Sequence, residues 1–195
     1  MPGRRFPAEV YTDAEVRRVL AAVPPPAAYQ ARTRALVAVL YRSGLRLGEA
    51  LDLRPPDVDA AAGAVRVLRG KGGRPRTAGM DAGAFEYLDS WLRHRRAFGR
   101  VETEPLFCTA EGSPIFPSTV RRALARLGRR AGLAKRLHAH GLRHTHAAQL
   151  RAEGVDIAII SRQLGHASLL TTVIYLDHLH PSSVLEAVGG RDWRP

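Results

Sequence analysis

Four short stretches of the chain concentrate side chains that handle protons and anions: residues 43–51 (SGLRLGEAL), 69–76 (RGKGGRPR), 138–147 (HAHGLRHTHA) and 164–178 (LGHASLLTTVIYLDH). If His140 opens a helix, Arg143 and His144 follow at i+3 and i+4, so one face carries a fixed cation and two imidazoles that titrate near neutrality. Lys71 is one of only two lysines, the other being Lys135, which makes a lysine in a turn between strands conspicuous. Taken singly, each of these residues also has a purely architectural reading. Arg46 can pair with its near neighbour Glu49, His166 can bond backbone carbonyls at a helix end, and Tyr175, among Val173, Ile174 and Leu176, can be a core aromatic.

The whole composition points the same way. Thirty Lys and Arg against 18 Asp and Glu give 195 residues a formal charge of +12, nearly all of it arginine. The guanidinium fork suits carboxylates and phosphates, which favours a polyanionic partner such as nucleic acid, although an arginine-rich composition also solvates helix faces. A single cysteine, Cys108, excludes an internal disulfide framework and any cysteine-rich metal site, and fits a reducing cytosol. No run reaches the ~20 apolar residues of a membrane span, and the start has no signal-like segment. The expected chain is soluble and cytoplasmic, with no membrane contact.

Local signals then set the scaffold. Residues 1–10 read as an arm, and the TDAE run from Thr12 is a capping box that opens a helix with Val16, Val19, Leu20 and Val23 on one face. Pro24, Pro25 and Pro26 end it. A second helix spans 27–42 and closes at Gly44; a short one follows Arg46 until Pro55 and Pro56. The period then shifts toward two: a strand at 64–69, a turn at 70–73 holding Lys71, and a return strand at 74–77. Phe85, Leu88, Trp91 and Leu92 mark a long helix, residues 106–109 and 113–116 a second hairpin, and Ser118 the cap of a basic helix through Arg130. Further helices are expected from His140 to Glu153, from Asp156 to Gly165, and from Ser168 through Tyr175, with an amphipathic segment after Pro181. The fold class is mainly α with a small antiparallel β-sheet (α+β).

The order SGLRLGEAL, a lysine in GKGGRPR, HGLRHTHA, then LGHASLLTTVIY resembles the catalytic domain of the tyrosine recombinases, the phage integrase family. The resemblance runs from about Thr12 into the C-terminal tail, giving residues 11–195 as that domain, with no separate N-terminal DNA-clamp domain before it. It implies that Arg46 and Arg143 are the two catalytic arginines, Glu49 the acid that supports the first, and Lys71 the hairpin lysine. It also implies that His140 and His166 are the paired histidines and Tyr175 the nucleophile. His144, beside the second arginine, is expected to support by packing, and His146 has no assigned role.

These assignments fit the chemistry of cutting DNA through a 3′-phosphotyrosyl link, which conserves bond energy so that strands rejoin without ATP. A phenol titrates near pH 10, so its ionisation at pH 7 costs roughly 4 kcal/mol, which nearby cations and a base must offset. Two guanidinium forks can hold the charged phosphorane without a metal. His140 then accepts the tyrosyl proton, His166 donates to the phosphate, and Lys71 protonates the departing 5′ oxygen. No cofactor is expected. A zinc reading of His140 and His144, with His138, His146, His178 and His180 near in sequence, lacks the glutamate of HExxH because Gly141 stands there. The implied partner is double-stranded DNA, bound as a homo-tetramer, with the chain monomeric without it. A topoisomerase of type IB, relaxing supercoils by the same chemistry, and a DNA-binding module that no longer cuts are the competing functions.

Overall fold

The computed structural model describes residues 10–68, 75–166 and 168–173. Lys71, Tyr175, residues 1–9 of the expected arm and the amphipathic segment after Pro181 lie outside the described residues.

Helix α1 (Asp13–Ala21) begins as its capping box requires: the Thr12 hydroxyl accepts the Glu15 N–H at 3.2 Å, and Glu15 takes the Thr12 N–H at 2.8 Å. Helix α2 (Ala27–Ser43) is the centre of the molecule. Val37, Val39 and Leu40 are fully buried because α4 (Ala82–Ala97) and α6 (Ala139–Ala152) both pack against it. A helix covered on several sides needs no polar stripe, which is why this stretch reads as almost continuous apolar sequence. Trp91 of α4 fills the core and donates its indole N–H to the Leu106 carbonyl at 2.7 Å.

Between α3 (Leu47–Asp52) and α4 lies a three-stranded antiparallel sheet in the order β1 (Val58–Asp59), β2 (Ala64–Val67), β3 (Arg76–Gly79). Val65, Val67 and Ala78 point inward at alternate positions. The first strand, two residues long, carries no sequence signal of its own and was not anticipated. The described return strand begins at Arg76, just after Pro75, which has no N–H to give the ladder, and runs to Gly79, two residues past the expected end. Residues 106–116 form a single bridge between Cys108 and Pro114 instead of a hairpin.

Helix α5 (Pro117–Arg130) is capped at Phe116 and not at Ser118: proline, with its preset φ and missing donor, takes the first helical position and leaves Ser118 inside the first turn. Helix α6 likewise starts at Ala139, one residue before the expected opening, because His138 caps it through Nδ1, which accepts the Gly141 N–H at 3.0 Å. Helix α7 (Ile157–Leu164) opens at Asp156 and closes at Gly165, as expected. Ser168 opens a helical turn over 169–173. A small satellite core of Ala147, Ile160 and Leu164 joins α6 to α7.

Candidate active site

Arg143 is the buried anchor of the site. It is 1% exposed, and its Nη1 and Nη2 donate to the carbonyls of Gly44 (2.6 Å) and Leu164 (2.7 Å). Those carbonyls stand at the C-terminal ends of α2 and α7, where unpaired acceptors and the helix dipole favour a cation. Gly44 makes the arrangement possible. It closes α2 in the left-handed region at φ 64°, and a Cβ there would lie 2.6 Å from the His146 ring. The chain therefore turns directly into Arg46, the residue that caps α3.

Arg46 and Glu49 form the pair expected from their spacing. The Glu49 carboxylate takes the Arg46 N–H at 2.8 Å and its Nη1 at 2.9 Å. A second guanidinium, missed in the sequence reading, completes the node: Arg76, at the start of β3, grips both oxygens of Glu49 at 2.9 and 2.8 Å. Glu49 is 6% exposed, and burial alone would raise its pKa. The hydrogen bonds and charge of Arg76, with the N–H and guanidinium of Arg46, outweigh this and hold it at about 2.

Arg46 and Arg143 open onto one groove of about 1080 Å³, lined also by His138, His140, Arg121 of α5 and Arg136. Among the described residues no carboxylate lines it. Its N-terminal wall is braced by Tyr11, which donates from its hydroxyl to the Arg136 carbonyl (2.7 Å) and accepts the His138 N–H (3.2 Å). Gly141 lets that ring approach: a Cβ would meet the hydroxyl at 2.6 Å.

His140, His144 and His166 are all shifted toward the neutral form. On His140, loss of water on its inner side comes first, then the charges of Arg143, His138 and Arg46, all lowering its pKa. His144 lies against it, ring centroids 4.1 Å apart and nearly edge-on, and burial pushes it to about 3. His166 follows Gly165 at the end of α7. Its Nδ1 lies 2.8 Å from the buried Thr172 hydroxyl, and burial followed by the charges of Arg143 and Arg46 brings it to about 4.

The structure thus brings Arg46, Glu49, His140, Arg143 and His144 together, with His166 just beyond the Leu164 carbonyl that Arg143 holds. It adds Arg76, Arg121, Arg136 and His138. Arg76 lies inside a stretch already singled out for Lys71, and Arg121 on the helix read as basic, so charge was their signal. Gln163 had none. Its amide donates to the Ser43 (3.1 Å) and Gly79 (2.8 Å) carbonyls, and its Oε1 accepts the Gly79 N–H (2.8 Å). With Nε2 of His146 at 3.2 Å from the same amide, α7 is latched to β3 and α2, which gives His146 the structural role the sequence left blank. Among the described residues no group of three His, Cys, Asp or Glu side chains is disposed to hold a metal ion.

A family model described as the phage integrase family matches residues 9–181. The chain is 37% identical over 162 residues to tyrosine recombinase XerC of Pseudomonas putida, covering 82% of this chain and 53% of that protein. It is 34% identical to tyrosine recombinase XerD of Ralstonia nicotianae, covering 84% and 54% respectively. The chain therefore spans about half the length of the curated relatives it matches. Among solved structures it superposes on XerA recombinase with TM-score 0.80 at 32% identity, covering 100% of this chain and 68% of that one. On the XerH site-specific recombinase bound to its palindromic difH substrate the TM-score is 0.77 at 29% identity, covering 95% and 54%.

Proposed function

Because this chain belongs to the phage integrase family of tyrosine recombinases, we propose that it cuts and rejoins double-stranded DNA at specific sites through a 3′-phosphotyrosyl intermediate on Tyr175. The observation that carries the reading is the groove: Arg46, Arg121, Arg136 and Arg143 line it with His138 and His140, no carboxylate stands among its described lining residues, and Glu49 bonds Arg46 from outside that lining. Such a surface leaves positive charge unspent for an anion, and a phosphodiester with its flanking phosphates is an anion of matching shape.

In this reading Arg46 binds a nonbridging oxygen of the scissile phosphate, and Arg143 supplies a fixed cation at the groove floor. Both act most strongly when the phosphorane carries its extra charge, and neither needs to move, since each is already held. The downward shift of His140 favours the unprotonated imidazole, the state in which it accepts the proton of the Tyr175 hydroxyl. Nδ1 of His166 lies 2.8 Å from the Thr172 hydroxyl, so the tautomer that accepts there carries its ring hydrogen on Nε2 and is the one that donates to the phosphate. Lys71 protonates the 5′ oxygen as it leaves, and the reverse sequence rejoins the strand. Support for the DNA partner comes also from XerH, solved on its difH substrate. On DNA the chain acts as a tetramer, two strands being exchanged at a time.

The test is incubation with a nicked duplex whose cleaved fragment escapes, followed by a denaturing gel. The chain should acquire a DNA-linked band that survives EDTA, and Tyr175→Phe should abolish it. An adduct formed by the Phe variant, or one that needs a divalent metal, refutes the assignment. Relaxation of supercoils with no exchange between two sites would mark a topoisomerase instead.

A further inference from the structure

Arg76 does not line the groove, yet its side chain touches the segments that build it. Its two terminal nitrogens span the oxygens of Glu49, and its Nε–H points at the Gln163 carbonyl, 3.3 Å away at the end of α7. Gly165 yields the space: a Cβ there would stand 2.7 Å from Arg76 Nε and 2.8 Å from Cδ and Cζ. One guanidinium therefore joins β3, which follows Lys71 in the chain, to Glu49 in the first turn of α3 and to Gln163, three residues before His166.

The contact is unlike a surface ion pair. The side chains of Arg76 and Glu49 are 12% and 5% exposed, against 32% for Arg46. Charge balance gives Arg76 a second task. A carboxylate close enough to orient Arg46 also neutralises it, and an Arg46–Glu49 pair alone would offer the groove no net charge. With a second guanidinium on the same carboxylate, the node carries one net positive charge, and the exposed member is Arg46.

We infer that Arg76 is a positioning residue, gripping Glu49 from behind so that Arg46 is held in the groove with its charge undiminished. The activity readout of this inference rests on the cleavage reading above; its geometric readout does not. Lysine at position 76 keeps the charge but cannot span two carboxylate oxygens and a carbonyl.

Arg76→Lys should slow single-turnover adduct formation at saturating nicked DNA at least tenfold, with the dissociation constant for DNA changed less than threefold. Glu49→Gln, which preserves volume, should slow it similarly, and it keeps the question open to test if the lysine variant folds poorly. The double variant should be no slower than the slower single one, since both changes break one linkage. Adduct formation at the wild-type rate, losses that multiply, or a loss confined to DNA affinity would each overturn the inference. Nitrogen-15 spectra of the arginine side chains give the second readout: the Arg46 Nε–H signal should be sharp in the wild type and shifted or broadened in Arg76→Lys. An unchanged Arg46 signal overturns the coupling. A wild-type chain that forms no adduct refutes the cleavage reading and leaves the spectra to decide on Arg76.

Discussion

Two polar clusters tie α2 to α6, and they settle their charges in opposite ways. On one side, Tyr41 donates to Asp13 (2.5 Å), Gln149 donates to both Asp13 and the Tyr41 oxygen (2.7 Å each), and Arg42 bridges the Gln149 carbonyl oxygen (3.1 Å) to Asp81. Two carboxylates there meet one guanidinium. On the other side, Arg46 and Arg76 share the single carboxylate of Glu49, and Arg143 donates to the carbonyls of Gly44 and Leu164. The first cluster completes itself and stabilises the fold. The second sets more guanidinium groups than carboxylates side by side among the described residues, an arrangement that suits an arriving anion.

Removing Arg143 should give the largest effect. Arg143→Ala leaves the buried Gly44 and Leu164 carbonyls without their donor and empties a guanidinium-sized space, a loss of about 3 kcal/mol in urea-unfolding stability. Adduct formation should fall on the order of a hundred- to a thousandfold beyond what unfolding accounts for. A variant that melts lower but cuts normally would make Arg143 architecture alone, like Arg42.

Acid should separate the clusters next. The His146 imidazole is held at about 4, against an ordinary 6.5, by burial and then by Arg42 and Arg143. Its folded value lies below its unfolded one, so the unfolded chain binds more protons as pH drops. The stabilisation is whole above 6.5 and is lost on the way down to about 4, amounting to about 1–2 kcal/mol at pH 5. His144 and His166 act in the same sense. Glu49, lowered from 4.5 to about 2, keeps its contribution until pH falls below 4.5, so its loss belongs to a later window. Thermal melts at pH 7 and pH 5 should show a drop that His146→Gln makes smaller; an equal drop in that variant would place the titration elsewhere.

How much of this could be read beforehand followed from the range of the forces involved. Caps are local, so Thr12 with Glu15, Gly44, Asp156 and Gly165 declare themselves in the sequence and stand where expected. The Arg46–Glu49 pair is three residues apart and equally legible. Arg76 reaches Glu49 across 27 positions and Gln163 reaches Gly79 across 84, and no local pattern encodes a meeting that only the packed fold arranges. The misplaced starts have local causes: Pro117 outranks Ser118 as a helix opener, and the His138 ring caps α6, which starts one residue ahead of the expected opening at His140. The cationic groove itself was legible as composition, but its walls were not.

A milder change probes the self-contained cluster. Tyr41→Phe deletes the hydroxyl shared by Asp13 and Gln149, and should cost about 1 kcal/mol of stability while leaving the adduct rate of the folded protein unchanged. A slowed rate would mean that strain in this cluster reaches the groove through α2.

The smallest expected effect lies at the groove's rim. Arg121 is exposed on α5 and makes no ion pair among the described residues, so it contributes charge and little structure. If the groove binds duplex through about six phosphates, log affinity should fall against log salt with a slope near −5. Arg121→Ala should flatten that slope by about 1 and weaken binding only severalfold, at every sequence alike. The same substitution tests whether the rim reads bases: a loss confined to one duplex, with the salt slope intact, would move Arg121 from phosphate to base edge. Arg42→Ala supplies the control, because a guanidinium already satisfied by Asp81 and Gln149 has no counterion to release and should leave the slope where it was.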